Sequence, residues 1–350
     1  MRFRTRALMV TWAPYSGRSE GLAQHLGIRN YFIHYLAFQR PWIAPLKYPL
    51  QAAATLRLLW RERPAAVLVQ NPPPVAPLVV ALYAAVTGAG FIIDSHSEAF
   101  LIRRWRWTLP LQRWLARRAL ATVVTNAHLA GVVRRWGAPA LIAVDPPITV
   151  PSRDGDAEPA IEPPADQFTV VVVSTFADDE PIGEVLRAAR ALPDVQFAIT
   201  GDPAYARPEW LAEPPPNVEF TGFLQRDAYF ARIRRANALL VLTTLDHTVL
   251  RGAWEALDLG QPLVLSDWPI LREYFCRGTV HVANTAASIA AGVREAQGRE
   301  AALRAEMLAL RAERRQAWRE AQQALEALIA RVWSPQAAMA REDRAVWDAR

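Results

Sequence analysis

Between Ala238 and Phe275 the chain runs ALLVLTTLDHTVLRGAWEALDLGQPLVLSDWPILREYF, and few folds accept that order of residues. An apolar run, Ala238–Thr243, gives way to a polar loop, Thr244–His247, and then to a helical pattern, Thr248–Leu259, that stops at Gly260. A second apolar run, Pro262–Leu265, opens into another loop at Ser266–Asp267. Strands that are apolar on both faces belong to parallel sheets covered by helices, and a Gly just past a helical pattern marks its end. The stretch therefore predicts a strand–helix–strand unit of an α/β fold. Glu255 falls one to two turns into that helix, whose N-terminus points out of the carboxyl edge of the sheet, where open α/β folds bind ligands. Backbone N–H groups at Thr248–Gly252 and the helix dipole suit a diphosphate at that edge. Glu255 then lies within reach of the hydroxyls of an attached ribose.

The rest of the chain repeats this alternation twice over. One series of strands comprises Ala7–Thr11, Tyr31–Leu36, Ala66–Gln70, Phe91–Asp94, Thr122–Thr125 and Leu141–Val144, with helical patterns between them. A segment rich in Pro, Asp, Glu and Ala follows, Pro146–Asp166, and reads as a linker. The second series opens at Phe168–Ser174 and passes through helix Pro181–Leu192, strands Gln196–Thr200 and Val218–Phe220, and helix Asp227–Ala236. Strands spaced by helices in this way predict two parallel sheets. The expected division is a first domain at 1–150, a linker at 151–166, a second domain at 167–330 and a C-terminal tail at 331–350. Ala286–Arg331 reads as one long helical stretch rich in Ala, Glu and Arg.

Composition narrows the class. A hydrophobic content of 52% excludes disorder as the main state, and Cys276, the only cysteine, excludes a disulfide framework and fits a reducing compartment. No secretory signal is expected at the N-terminus, and the apolar stretch Pro72–Phe91, with its prolines and Gly88 and Gly90, suits a buried helix better than a membrane span. Charge is divided unevenly. Residues 1–150 hold 18 basic and 5 acidic residues, a net of +13, whereas the other 22 basic and 29 acidic residues give the remainder −7. A basic half implies an anionic partner. Two basic, Trp-containing stretches stand out, Arg40–Arg63 and Leu101–Arg118. They fit an element lying on an anionic membrane surface, or helices packed on the sheet with snorkelling Arg side chains. Nucleic acid is not an expected partner, because no recognised nucleic-acid-binding module accompanies the charge.

The run through Gly252, Glu255, Ala256, Gly260, Pro262, Val264, Ser266, Asp267, Leu271, Arg272 and Glu273 resembles the donor segment of the retaining nucleotide-sugar glycosyltransferases of GT-B architecture (family 4, or group 1, type). The resemblance implies two Rossmann-like domains facing a cleft, with a C-terminal helix crossing back to the first. It also implies a cytoplasmic enzyme, peripheral on the inner face of the cell membrane, in cell-surface polysaccharide synthesis. Such an enzyme moves a sugar from a nucleoside-diphosphate donor to a glycan or lipid-linked acceptor, with no metal and no cofactor. A nucleotide-sugar 2-epimerase of the same architecture, and a degenerate transferase that only binds, are the alternatives.

The same resemblance suggests site residues. Ser174 and Thr175 end the first strand of the second series, where related enzymes follow with an Arg and a Lys for the diphosphate. Here Asp178, Asp179 and Glu180 occupy the region instead. Those acidic residues read as complements to the dipole of the helix beginning at Pro181. Gly201 resembles the family's turn beside the nucleotide, and Phe223 belongs to an element that reads the base. Where the family has a Glu facing the donor sugar this chain has His247, so Asp246 and His247 become the candidate sugar contacts, ahead of Thr248 and Gly252. Arg251 either neutralises the diphosphate or forms an i,i+4 surface pair with Glu255. In the first domain, Asp94-Ser95-His96 resembles the family's D-x-H turn, which makes His96 a contact for the donor sugar or for charge developed in transfer; the alternative is a His capping the next helix. Arg18, in the loop after the first strand, is the expected first-domain phosphate contact.

Overall fold

The computed structural model describes residues 7–36, 43–148 and 167–332; the expected linker at 151–166 and all of the tail beyond Val332 lie outside them. The chain forms two compact units, one comprising residues up to Pro146 together with Ala317 onward, the other Pro147–Gln316.

The first unit is built on a parallel six-stranded sheet: β1 Ala7–Thr11, β2 Arg29–Phe32, β3 Ala66–Asn71, β4 Gly90–Ser95, β5 Ala121–Val124 and β6 Ala140–Ile142, in the order β2-β1-β3-β4-β5-β6. Successive side chains of a strand point to opposite faces. Leu8, Val10, Val67, Val69, Phe91 and Ile93 accordingly enter one core beneath helices Ala44–Glu62 and Val75–Thr87. Their neighbours Ala7, Met9, Ala66, Leu68 and Ile92 enter another, with Leu22 and Ala23 of helix Gly17–His25. That second core is completed by Trp318, Leu325 and Ile329 from the end of helix Glu300–Arg331. Helix Val75–Thr87 lies between β3 and β4 in the chain, as the prolines and glycines of Pro72–Phe91 suggest.

The second unit repeats the plan with β7 Thr169–Val172, β8 Gln196–Thr200, β9 Val218–Gly222, β10 Ala238–Val241, β11 Leu263–Ser266 and β12 Thr279–Val282, in the order β12-β11-β10-β7-β8-β9, all parallel. Val170, Val172, Phe197, Ile199, Leu240 and Val264 share a core with helices Ile182–Arg190 and Ala286–Gly298. Helix Arg251–Leu259 contributes buried Ala253, Trp254, Ala256 and Leu257. The long stretch expected over Ala286–Arg331 is two helices, because the chain breaks at Arg299. The strand expected at Tyr31–Leu36 is shifted to Arg29–Phe32, and Leu36 adopts a left-handed backbone (φ +59°) that no strand can hold. Among the described residues no helix is long and apolar enough to cross a membrane.

Candidate active site

Strand order reverses at β7 in the second unit: the next two strands are added on one side of it and the last three on the other. Loops leaving neighbouring strands in opposite directions leave a crevice at the carboxyl ends, here those of β7 and β10. The two loops are tied together, since Thr244 N–H donates to the Asp179 carbonyl at 2.8 Å and the Thr243 hydroxyl donates to the Asp179 carboxylate. The turn after β8 closes in from the side. Gly201 has φ +116°, and a Cβ there would sit 2.7 Å from the Ser174 carbonyl oxygen, so only Gly fits.

Helix Arg251–Leu259 begins at this edge, three residues later than the sequence pattern suggests. Thr248 lies in the irregular lead-in and Leu250, with extended backbone, takes the N-cap position. No side chain caps this helix and its first turn holds no acid, so its positive end faces the loops uncompensated by protein carboxylates of that turn. Gly252 sets how close the helix comes to the sheet: a Cβ would lie 2.9 Å from Val173 Cγ1 and 3.2 Å from Val241 Cγ1.

Glu255, the fifth residue of the helix, is 8% exposed. Its Oε2 accepts from the Tyr229 hydroxyl at 2.6 Å and its Oε1 lies 3.4 Å from Arg251 Nε. Burial, and then the charge of Glu255 beside it, push the Tyr229 phenol well above its usual range, so it remains a donor. Tyr229 lies 26 residues before Glu255 on helix Arg226–Arg234 and is a site residue that sequence patterns did not suggest. Arg251 forms the i,i+4 pair with Glu255. Ahead of the helix, His247 holds a left-handed backbone (φ +58°), with its N–H donating to Asp246 Oδ1 at 2.6 Å. A non-Gly residue in that region costs free energy and marks a loop fixed by its surroundings. Phe223, after β9, is 72% exposed and free to meet a planar ligand.

The acidic run after β7 does not cap its helix. Pro181 at the N-cap position has no side-chain capping bond. Glu180 turns back instead, and its carboxylate accepts from Ser174 Oγ (2.6 Å), Thr175 Oγ1 (3.0 Å) and Thr175 N–H (3.1 and 3.0 Å). Ser174 and Thr175, expected at the donor phosphate, thus already hold an anion supplied by the protein.

In the first unit the strand order reverses at β1, between β2 and β3. Asp94, at the end of β4, is fully buried, and Arg18 beside it is 7% exposed. Arg18 donates through Nε and Nη2 to Asp94, through Nη1 to Asp145 at 2.9 Å and through Nη2 to the Ala143 carbonyl at 2.9 Å. Burial opposes the charge on Asp94, but the Arg18 guanidinium and the His96 ring outweigh it and hold the carboxyl far below its usual range. Arg18, the expected phosphate contact, thus directs its Nε, Nη1 and Nη2 donors to partners inside the first unit. His96 Nε2 lies 3.3 Å from Asp94 Oδ2, and its ring is 23% exposed. The ring also lines a cavity of about 560 Å³ over the carboxyl ends of β1 and β3.

Residues 183–330 match a family model described as glycosyl transferase-like. Among curated proteins no sequence matches the chain. Solved structures match along nearly its whole length. The sucrose-phosphate synthase of Thermosynechococcus elongatus is 14% identical, with a TM-score of 0.71 over 94% of this chain and 99% of that one. A glycosyltransferase from Rickettsia africae is 10% identical, with a TM-score of 0.68 over 95% and 99%. An Anabaena protein solved with UDP and glucose is 12% identical, with a TM-score of 0.66 over 93% and 99%. The chain thus has the GT-B fold of two Rossmann-like domains and carries a glycosyl transferase-like domain over residues 183–330.

Proposed function

We propose that the protein is a glycosyltransferase whose second unit binds a nucleoside-diphosphate sugar and whose first unit holds the acceptor. One observation carries this reading: a buried carboxylate, Glu255, fixed by Tyr229 one turn inside an uncapped helix at the point where the strand order reverses. Glu255 accepts from the ribose hydroxyls. The amides from Thr248 to Gly252, the helix dipole and Arg251 receive the diphosphate, while Phe223 and the Gly201 turn flank the base. Asp246 and His247 meet the sugar. During transfer the bond from the anomeric carbon to the diphosphate oxygen breaks, an acceptor hydroxyl oxygen takes the carbon, and the hydroxyl proton leaves to a base. Fixed dipoles and Arg251 stabilise the departing diphosphate without a metal, and the anomeric configuration is retained. His96, oriented by Asp94, acts on charge at the sugar. The Anabaena structure with UDP and glucose supports a nucleotide-sugar donor.

Glu180 is the resident anion of the diphosphate loop and is displaced when donor binds. Glu180→Ala is expected to tighten binding of inorganic pyrophosphate at least threefold by calorimetry, because Ser174 and Thr175 are released. Equal affinity in both proteins would remove that loop from the donor site. The same contact supports a second reading, a transferase fold that binds without turning over. Thermal unfolding with a panel of nucleotide sugars tests the main reading, since a ligand at 100 times its Kd stabilises by about 2.7 kcal/mol. No shift with any member would contradict it.

The basic stretches of the first unit expose Leu46, Leu50, Trp60, Trp107 and Trp114. This supports peripheral binding to an anionic membrane and a lipid-linked acceptor. Cosedimentation showing no preference for anionic over neutral vesicles at low salt would contradict it.

A further inference from the structure

Thr243, just past the end of β10, is fully buried, and each of its polar atoms is engaged. Its N–H donates to Ser266 Oγ at 2.9 Å, and its carbonyl accepts from Trp268 Nε1 at 2.9 Å and from Asn284 Nδ2 at 2.8 Å. Ser266 Oγ in turn donates to Asn284 Oδ1 at 2.7 Å. The Thr243 hydroxyl donates to the Asp179 carboxylate and accepts from Leu245 N–H at 3.1 Å. Segments at the carboxyl ends of β7, β10, β11 and β12 therefore meet on one residue. A buried polar network in which every member is paired fixes a single arrangement, and removing one member leaves its partner unsatisfied.

This network lies at the base of residues 244–247. His247 is held in the left-handed region (φ +58°), where a non-Gly residue persists only when its surroundings fix it. Phe176, in the loop after β7, is the other non-Gly residue with such a backbone among the described residues of the second unit (φ +59°). Asp179 joins these two strained loops, through its carboxylate to the Thr243 hydroxyl and through its carbonyl to Thr244 N–H at 2.8 Å. Its neighbour Glu180 engages Ser174 and Thr175 instead. Two consecutive acids thus hold different things. Glu180 pairs with donors that can receive a ligand anion, and Asp179 pairs with the base of the loop that carries Asp246 and His247. A hydroxyl donates to a neutral amide oxygen as well as to a carboxylate, so the contact made by Asp179 needs an acceptor atom rather than a charge.

We infer that Asp179 is a positioning residue for the donor sugar: bonded to Thr243 and Thr244, it fixes the loop 244–247 on which the sugar is read, while Glu180 occupies the diphosphate loop. The inference rests on the transferase reading and gives Asp179 a role at the sugar end of that site. Asp179→Asn and Asp179→Ala, made in the full chain, remove the same charge, and only the second removes the acceptor of the Thr243 hydroxyl. Hydrogen exchange of the Thr244 and Leu245 amides is expected to be about fivefold faster in Asp179→Ala, the effect of one lost hydrogen bond. Asp179→Asn should restore the slow exchange. Calorimetry with UDP-glucose, GDP-mannose and ADP-glucose, each beside its own nucleoside diphosphate, reads the sugar contact. The unmodified protein should bind one of these nucleotide sugars more tightly than its diphosphate. Asp179→Ala should bind both members of that pair alike, with its affinity for the nucleoside diphosphate unchanged, and Asp179→Asn should recover the preference. Thr243→Val, similar in shape and without the hydroxyl, should lose the preference as Asp179→Ala does, and Thr243→Ser should recover it; this second pair decides the matter if Asp179→Ala does not fold. Asn acting like Ala at position 179 would make charge the cause and overturn the inference. So would an Asp179→Ala protein that keeps the sugar preference or the slow exchange, or one whose nucleoside diphosphate affinity falls in parallel. Absence of any sugar preference in the unmodified protein would overturn it too. Failure of every probe to bind the unmodified protein would instead contradict the transferase reading, and the exchange rates of the two Asp179 variants would then decide whether Asp179 holds the loop.

Discussion

Glu255→Gln is expected to weaken nucleoside-diphosphate binding by about 1.5–3 kcal/mol, the value of hydrogen bonds to a charged group. That corresponds to roughly ten- to 150-fold in Kd. The carboxylate has one oxygen on the Tyr229 hydroxyl and the other near Arg251, both of which are donors. An amide in its place turns an N–H₂ group toward one donor or the other and loses the charge that two ribose hydroxyls would meet. The side chains are nearly equal in volume, so the helix should remain packed and the thermal midpoint without ligand should move little. Calorimetric titration of both proteins with UDP and other nucleoside diphosphates measures the difference. Equal affinities would mean that Glu255 is only a partner for Tyr229 and Arg251.

His96→Ala is expected to lower kcat by about a hundredfold or more, the scale for removing one oriented donor from a charged transition state, with UDP affinity held within about twofold. The two effects separate because His96 lines a cavity of the first unit, whereas the proposed nucleotide residues lie in the second. Asp94 sits behind the ring and is itself held by Arg18, so the ring keeps one orientation. Parallel loss of kcat and UDP affinity would give His96 a structural role instead.

The parallel sheets were legible because their signals are local. Alternating cores such as Leu8 and Val10 against Ala7 and Met9 follow from period-two geometry, and the strand–helix–strand unit around Glu255 is marked by Gly260 and Pro262. What escaped the sequence depends on pairs far apart in the chain. Arg18 looks like a phosphate contact until Asp94, 76 residues on, and Asp145, 127 residues on, close around it. Tyr229 reads as one aromatic in an ordinary helix, and nothing local ties it to Glu255. Glu180 illustrates a different failure. An acid ahead of a helix usually complements the dipole, but here Ser174 and Thr175 offer it three hydrogen-bond donors a few residues back. Thr248 has the chemistry of a cap, yet the backbone is left-handed at His247 and helical only from Arg251. The two basic stretches were readable one at a time, and only folding brings Lys47 and Arg104 to one cavity.

Sugar transfer is tested most directly by following a nucleotide sugar by NMR with the purified protein, first alone and then with a glycosylated alkyl phosphate as acceptor. It predicts an intact donor in the first case. In the second it predicts release of nucleoside diphosphate matched mole for mole by a new glycosidic linkage. Conversion of the donor sugar to its 2-epimer or to free sugar without acceptor would contradict transfer as the activity. An unchanged donor in both experiments, for every nucleotide sugar that stabilises the protein, would make it a binding protein on a transferase fold.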